Sequence, residues 1–394
     1  NLFLEGTQGS RVQELARMAI LLGKRAEGHT AGAPAKSLQA YTGFGFSSDH
    51  EPITAAEAMD RLRLGYWVMV RQGSIRKELP EIAPLFRENL DFRRMALCTD
   101  SVDPQELLEQ GYLEGSLRSA LKLGIPPAQA YQMVTINVAE HFRLDHQLGS
   151  LSPGKAADVV VIPSPAEYEP RRILIAGKTV FSEGKTLVEP RHVEFPEALF
   201  SSVRIAGYQL EEPRKAGRCR AMELVNRLVT REKIIDFDNP EDAADVLYAA
   251  ALNRTGGGKS FTGFLKGFGL KMGACGTTTS WDTVDMLCAG ADMASIRTVI
   301  ERLREIGGGA VFAIGETVVA ECPLPLCGVV SLAPLKTLSA QMRNLDEALQ
   351  NAGARWEKPV LTLDTLTTAS IPHLRITHEG YVRMRDRKIL PLSE

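Results

Sequence analysis

Glu27-Gly28-His29-Thr30-Ala31-Gly32, then Ser47-Ser48-Asp49-His50-Glu51-Pro52, then Cys98-Thr99-Asp100-Ser101 are the stretches whose reading decides the fold. Each closes a short run that reads as a strand, and each places a metal-competent side chain where strand gives way to loop. The intervals carry helical patterns. Val12 to Leu22 has apolar residues at helix spacing before Gly23-Lys24, and Ala55 to Leu64 repeats the pattern behind Thr54, a plausible helix cap. Strand, histidine, helix, strand, histidine, helix is the alternation that builds a parallel sheet or barrel. In a β/α barrel such strand ends converge on one face. A single His beside a turn is more often a solvated loop residue, but two histidines and an aspartate gathered there suit a hydrolytic metal ion.

Several further motifs carry a resemblance. Gly23-Lys24 with Gly28-His29 and Gly32, Ser47 to Glu51, Cys98-Thr99-Asp100, Gln132 to Phe142, and Gly149 to Val161 occur in one order along the chain. In that order and spacing the sequence resembles the adenine deaminase branch of the amidohydrolase superfamily, including a C-terminal domain that most amidohydrolases lack. The resemblance implies the following roles. His29 falls where the fifth barrel strand gives a ligand to the more exposed metal, and His50 where the sixth strand gives another. Asp100 falls on the eighth-strand aspartate, which binds the more buried metal and handles the proton of the attacking hydroxide. Glu51 is expected to meet the purine ring or to shuttle a proton.

The family's His-x-His pair on the first strand and its bridging glutamate on the fourth have no counterpart, since the sequence opens at Asn1-Leu2-Phe3 and Glu5 is out of register. The expectation is therefore the back half of a metal-dependent (β/α)8 barrel, with little or no deaminase activity from this stretch alone. The fold class expected is α/β. Residues 1–148 form the barrel half, 149–194 a return segment of a small β-sandwich left with exposed edges, and 195–394 an α+β domain of the adenine-deaminase type.

A length of 394 residues allows two or three domains. Hydrophobic content of 44% and charged content of 24% are ordinary for a globular protein. A formal net charge of -2 gives no reason to expect nucleic acid or an anionic membrane as partner. No apolar run approaches the ~18 to 20 residues that cross a bilayer, and no secretory signal is visible at the start. Six cysteines, Cys98, Cys219, Cys275, Cys288, Cys322 and Cys327, lack zinc-finger or CxxC spacing and fit reduced thiols in a cytoplasmic setting.

Leu64 to Ser74 reads as a strand ending in Arg71, a residue suited either to substrate or to a structural ion pair; Met95 to Asp100 reads as the next strand. Pro104 to Leu123 reads as one helix stopped by Gly124, and a further helix begins at Pro126-Pro127. His141, on a helix, is expected to pack or cap. Short strands follow at Asp158 to Ile162, Arg172 to Ala176 and Thr179 to Phe181, with a hairpin signal at Gly177-Lys178. Farther on, strands at Ala310 to Ile314 and Glu316 to Glu321 meet around Gly315, and helices cover Asp292 to Ile306 and Lys336 to Asn351. Gly256-Gly257-Gly258-Lys259-Ser260 fails as a phosphate-binding loop, because Asn253 stands where the leading glycine belongs. Gly307 to Gly309 reads as a helix terminator.

Gly263 to Ala274 matches the family's C-terminal domain, but the next stretch departs from it. Where the family has a His-Asp-Ser-His-Asn run, this chain has Thr277-Thr278-Thr279-Ser280-Trp281-Asp282-Thr283-Val284-Asp285. Two groups that change charge near neutral pH are lost, and Trp281 offers a stacking face and one donor. Ser101 after Asp100 and Tyr112 after Gly111 depart in the same way, which suggests either a ligand other than adenine or neutral drift.

The resemblance implies a metal-dependent hydrolytic deaminase of adenine or a related purine, a hydrolase of cyclic amidines in purine metabolism that releases ammonia. Asp100 and Glu51 would be catalytic, Glu51, Arg71 and Trp281 would bind substrate, and His29, His50 and Asp100 would hold a binuclear divalent metal centre of manganese or iron, with zinc also able to serve. Its partners would be a purine-like small molecule and further copies of the chain, with no nucleic acid and no membrane. The alternatives are a related amidohydrolase acting on another aminated heterocycle or cyclic amide, and a catalytically inactive binding homologue.

Overall fold

The computed structural model describes residues 6–393; Asn1 to Glu5, including the Glu5 expected to be out of register with the family's glutamate, lie outside them. The chain forms two compact units, one ending at His192 and the other beginning at Val193.

The first unit starts α1 (Gly6–Leu21), α2 (Ala35–Gly43), β1 (Ser48–Asp49), α3 (Ala55–Arg63), β2 (Trp67–Arg71), α4 (Leu79–Ile82) and β3 (Met95–Cys98). The three strands form a parallel sheet in the order β1-β2-β3, with Ser48 opposite Trp67 and Val68 opposite Met95. A parallel bridge between Ala26 and Phe46 adds a further rung ahead of β1. β2 is an apolar run whose Val68 and Val70 are fully buried, as a strand covered on both faces requires. Thr54 caps α3 by accepting the Glu57 N–H at 3.2 Å, and α3 turns Ala58 and Arg61 inward.

Four helices follow, α5 (Pro104–Gln110), α6 (Leu113–Lys122), α7 (Pro127–Gln132) and α8 (Ile136–His141). The single helix expected over 104–123 is two. Gly111 takes φ 79°, outside the helical region, so the chain turns before α6 resumes. Leu117 and Ala120 of α6, with Met133 just beyond α7, close over Val68, Val70, Met95 and Leu97. His141 is buried, with its ring 5.1 Å from that of Trp67 and its Nε2 3.2 Å from Glu27 Oε1.

An antiparallel meander completes the unit: β4 (Val159–Val161), β5 (Arg172–Ile175), β6 (Lys178–Ser182) and β7 (Lys185–Thr186). Ala176 and Gly177 both have positive φ, 48° and 78°, the backbone of a tight hairpin whose twist matches its strands. No residue of these four strands is fully buried, and Val160, Val161 and Ile175 are exposed.

The second unit has β8 (Arg218–Leu224), β9 (Thr230–Asp236), α9 (Pro240–Ala243), β10 (Val246–Asn253), β11 (Ser260–Lys266), β12 (Ala274–Thr277), β13 (Asp285–Gly290), α10 (Met293–Glu305), β14 (Gly309–Ile314), β15 (Thr317–Pro323), α11 (Leu335–Asn351), α12 (Pro359–Asp364), β16 (Leu374–Thr377), β17 (Gly380–Arg383) and β18 (Lys388–Leu390). Eight strands form one sheet in the order β15-β14-β12-β13-β10-β11-β8-β9, antiparallel except where β8 meets β11. Ile296, Val299, Ile300 and Leu303 of α10 pack on one face with Val311 and Ala250; Leu345 and Leu349 of α11 and Leu363 of α12 pack on the other with Phe312 and Leu287. With both faces covered, β10 is apolar along nearly its whole length. Residues 254–259 are the turn between β10 and β11, with a strand after them where a phosphate-binding loop needs a helix. No described helix is long and apolar enough to cross a membrane, and among the described residues no cysteine is in a disulfide.

Candidate metal centre

Four places along the first unit's parallel strands supply the site: His29 after the bridge at Ala26, His50 at the end of β1, Arg71 as the last residue of β2, and Asp100 just beyond β3. Parallel pairing brings equivalent strand ends to one side of a sheet.

Asp49 ties the first two together. It is buried, and its Oδ1 accepts the backbone N–H of Thr30 at 3.2 Å and of Glu51 at 3.1 Å. Its Oδ2 takes the Thr30 hydroxyl and Nε of the equally buried Arg61. Arg61 also donates from Nη2 to Thr30 O and Oγ1, each at 2.9 Å. One buried ion pair thus fixes the backbone just after His29 and on both sides of His50, and its full hydrogen bonding offsets the desolvation of two charges.

The other two are held by loops. Gln72 N–H bonds Cys98 O at 2.8 Å and Ser74 N–H bonds Ser101 O at 3.1 Å, so the exits of β2 and β3 run together. Gly73 makes that approach feasible: a Cβ there would lie 2.0 Å from Thr99 O and 2.5 Å from Ser101 O. Asp100 and Ser101 take φ 53° and 115°, which turns the chain sharply after β3.

His29 Nδ1 lies 3.1 Å from Glu51 Oε1, and His50 Nε2 lies 3.6 Å from the same oxygen. The two imidazole rings meet edge to face at 4.6 Å. Glu51 Oε2 is 3.2 Å from Arg71 Nη1, and that nitrogen is also 3.1 Å from Asp100 Oδ2. Burial pushes the Glu51 carboxyl up, but the His29 hydrogen bond and the charges of Arg71, His50 and His29 outweigh it and bring it down to about 2. The same hydrogen bond raises His29, against its partial burial. Burial and Asp100 push the neighbouring Cys98 thiol up to about 12.

Ligand atoms of His29, His50 and Glu51 lie within 4.8 Å of one another, the one such group of three among the described residues. A first-row divalent ion bound at about 2.1 Å holds its ligands about 3 to 4 Å apart, so this donor set fits one with small side-chain adjustments. Two imidazoles with a carboxylate suit manganese, iron or zinc alike. Asp100 stands beside the group, its Oδ2 taken by Arg71. Trp281 lies in the second unit, where its backbone N–H donates to Asp364 O at 3.0 Å and its backbone O accepts from Thr367 Oγ1 at 2.7 Å.

Sequence reading missed Asp49, Arg61 and Glu78, whose buried carboxylate pairs with Arg71 at 3.2 Å. Asp49 stands directly before His50 but carried no signal of its own. Nothing in the spacing of Arg61 or Glu78 distinguishes them from surface charges on short helices.

A parallel strand set whose ends present two histidines and acidic partners defines a class, and the sequence comparison agrees: residues 25–186 match the amidohydrolase family and residues 223–388 the adenine deaminase C-terminal domain. The relatives narrow it. Adenine deaminase of Cenarchaeum symbiosum is 30% identical over 93% of this chain and 62% of its own length, and that of Brucella suis 32% over 93% and 64%. Adenine deaminase of Cereibacter sphaeroides is 32% identical over 96% of this chain and 68% of its own. The chain belongs to the adenine deaminase family. It spans 62% and 64% of the first two relatives.

Proposed function

We propose that the protein hydrolyses the exocyclic amino group of adenine or a related purine, giving the oxo-purine and ammonia. The observation that carries this is the convergence of His29, His50 and Glu51 ligand atoms within 4.8 Å, with Asp100 alongside. His29 and His50 would hold a divalent cation, with Asp100 holding a second in a binuclear centre; manganese or iron is favoured and zinc suffices. When bound, such a cation supplies the Lewis acidity that makes water a nucleophile near neutral pH.

The chain's own groups handle the protons. With Oδ2 on Arg71, Asp100 has Oδ1 to take the proton of the attacking water, which it passes to the departing amine. Glu51, ionised in the free site, would take up a proton and donate it to a ring nitrogen, drawing charge off the attacked carbon. Arg71 holds both carboxylates in place.

The parallel sheet of the first unit supports the reading of the back half of a (β/α)8 barrel, and the meander that of the return segment of a β-sandwich. A cytoplasmic homo-oligomer working in purine metabolism completes the proposal.

One observation favours a second reading, another aminated heterocycle or cyclic amide as substrate: the stretch from Thr277 to Asp285 carries no histidine where the family has its His-Asp-Ser-His-Asn run. Full-length, metal-loaded protein should release ammonia from adenine, as followed by coupled assay. Metal-replete protein that leaves adenine intact would sink the first reading and send the search to other aminated rings.

A further inference from the structure

Arg71 faces three carboxylates, and the one that fixes its orientation is Glu78. Glu78 accepts Arg71 Nε on Oε2 and Nη2 on Oε1, both at 3.2 Å, a side-on bidentate pair. Its own backbone N–H donates to Arg71 O at 3.1 Å, and Gly73 N–H to Arg76 O at 2.8 Å closes the loop between them. Arg71 and Glu78 are both almost fully buried, with side chains 3% and 9% exposed. Two of the three guanidinium nitrogens are therefore occupied on one edge, and only Nη1 is left to reach outward. That nitrogen touches both Glu51 Oε2 and Asp100 Oδ2.

We infer that Glu78 is a positioning residue for catalysis. By holding the planar fork of Arg71 at one angle, it makes Nη1 a fixed spacer between Glu51 and Asp100, the two carboxylates proposed to exchange protons with substrate. A lysine-like point charge has no such edge to grip, and bidentate pairing supplies direction as well as energy. Glu78 also sets the local charge. Three carboxylates around one guanidinium leave the pocket negative, as a site for divalent cations requires, without leaving any carboxylate bare.

This inference rests on the proposed roles of Glu51 and Asp100, and two measurements on the full-length protein separate its fate from theirs. The first needs no substrate: the Arg71 Nε–H resonance, assigned by its loss in Arg71→Met, is slow to exchange with solvent in wild type, and Glu78→Gln, which keeps the shape, speeds exchange at least about tenfold. Unchanged exchange would overturn the clamp. The second reads turnover. Glu78→Ala and Glu78→Gln each lower kcat about 10- to 100-fold with KM shifted by less than about threefold, while in an Arg71→Met background neither costs anything further, because residues acting through one partner are not additive. Equal cost in both backgrounds, or undiminished kcat, overturns the positioning role. If wild type releases no ammonia from adenine, the functional reading falls and the exchange measurement still decides the clamp.

Discussion

Asp364 shows how one residue's surroundings set a measurable property. It is buried at the end of α12, and burial pushes its carboxyl up to about 6 against the hydrogen bonds of Thr279 and Thr277, which act downward. The folded state thus keeps this proton over a range where the unfolded chain has lost it. Its contribution to stability is complete below the ordinary carboxylate value near 4 and disappears as pH rises through about 6. Asp364→Asn keeps an oxygen for both hydroxyls and has no charge to bury. Urea unfolding should find the variant gaining on wild type by about 2 kcal/mol between pH 4.5 and pH 7.5; a constant difference across that range would refute the assignment.

At the scale of elements, the site depends on how two loops touch. The exits of β2 and β3 are held together at Gly73, where any side chain would meet the backbone of Thr99 and Ser101. Gly73→Ala must push the Asp100 loop away, so we expect a loss of about 1 to 3 kcal/mol in stability and, on the functional reading above, a collapse of ammonia release. Calorimetry and assay check this, and full activity would mean that the Asp100 loop does not matter. The strands and helices were legible because their periodicity is strong: β2, β3, α3 and α10 lie within a few residues of where their apolar spacing puts them. The break at Gly111 was not, since the apolar pattern continues through it and only the backbone reveals the turn. In the site, His29 and His50 were legible as strand-end histidines. The Arg71–Glu78 pair and the Asp49–Arg61 anchor were not, because charges at ordinary spacing show their burial only once the chain is folded.

For the molecule as a whole, stability is unevenly spread. The second unit carries two apolar clusters, one on each face of an eight-stranded sheet, and the first carries its principal cluster between the parallel strands and helices. The meander β4–β7 belongs to neither kind of interior: its strands lack a fully buried residue, and Val160, Val161 and Ile175 face solvent. A ribbon with so little packed against it is held chiefly by its own ladder, and small sheets of that kind are marginal in water. A broad-specificity protease at low dose should therefore nick this chain first between residues 159 and 186, yielding two large fragments by mass spectrometry, while the eight-stranded sheet resists digestion.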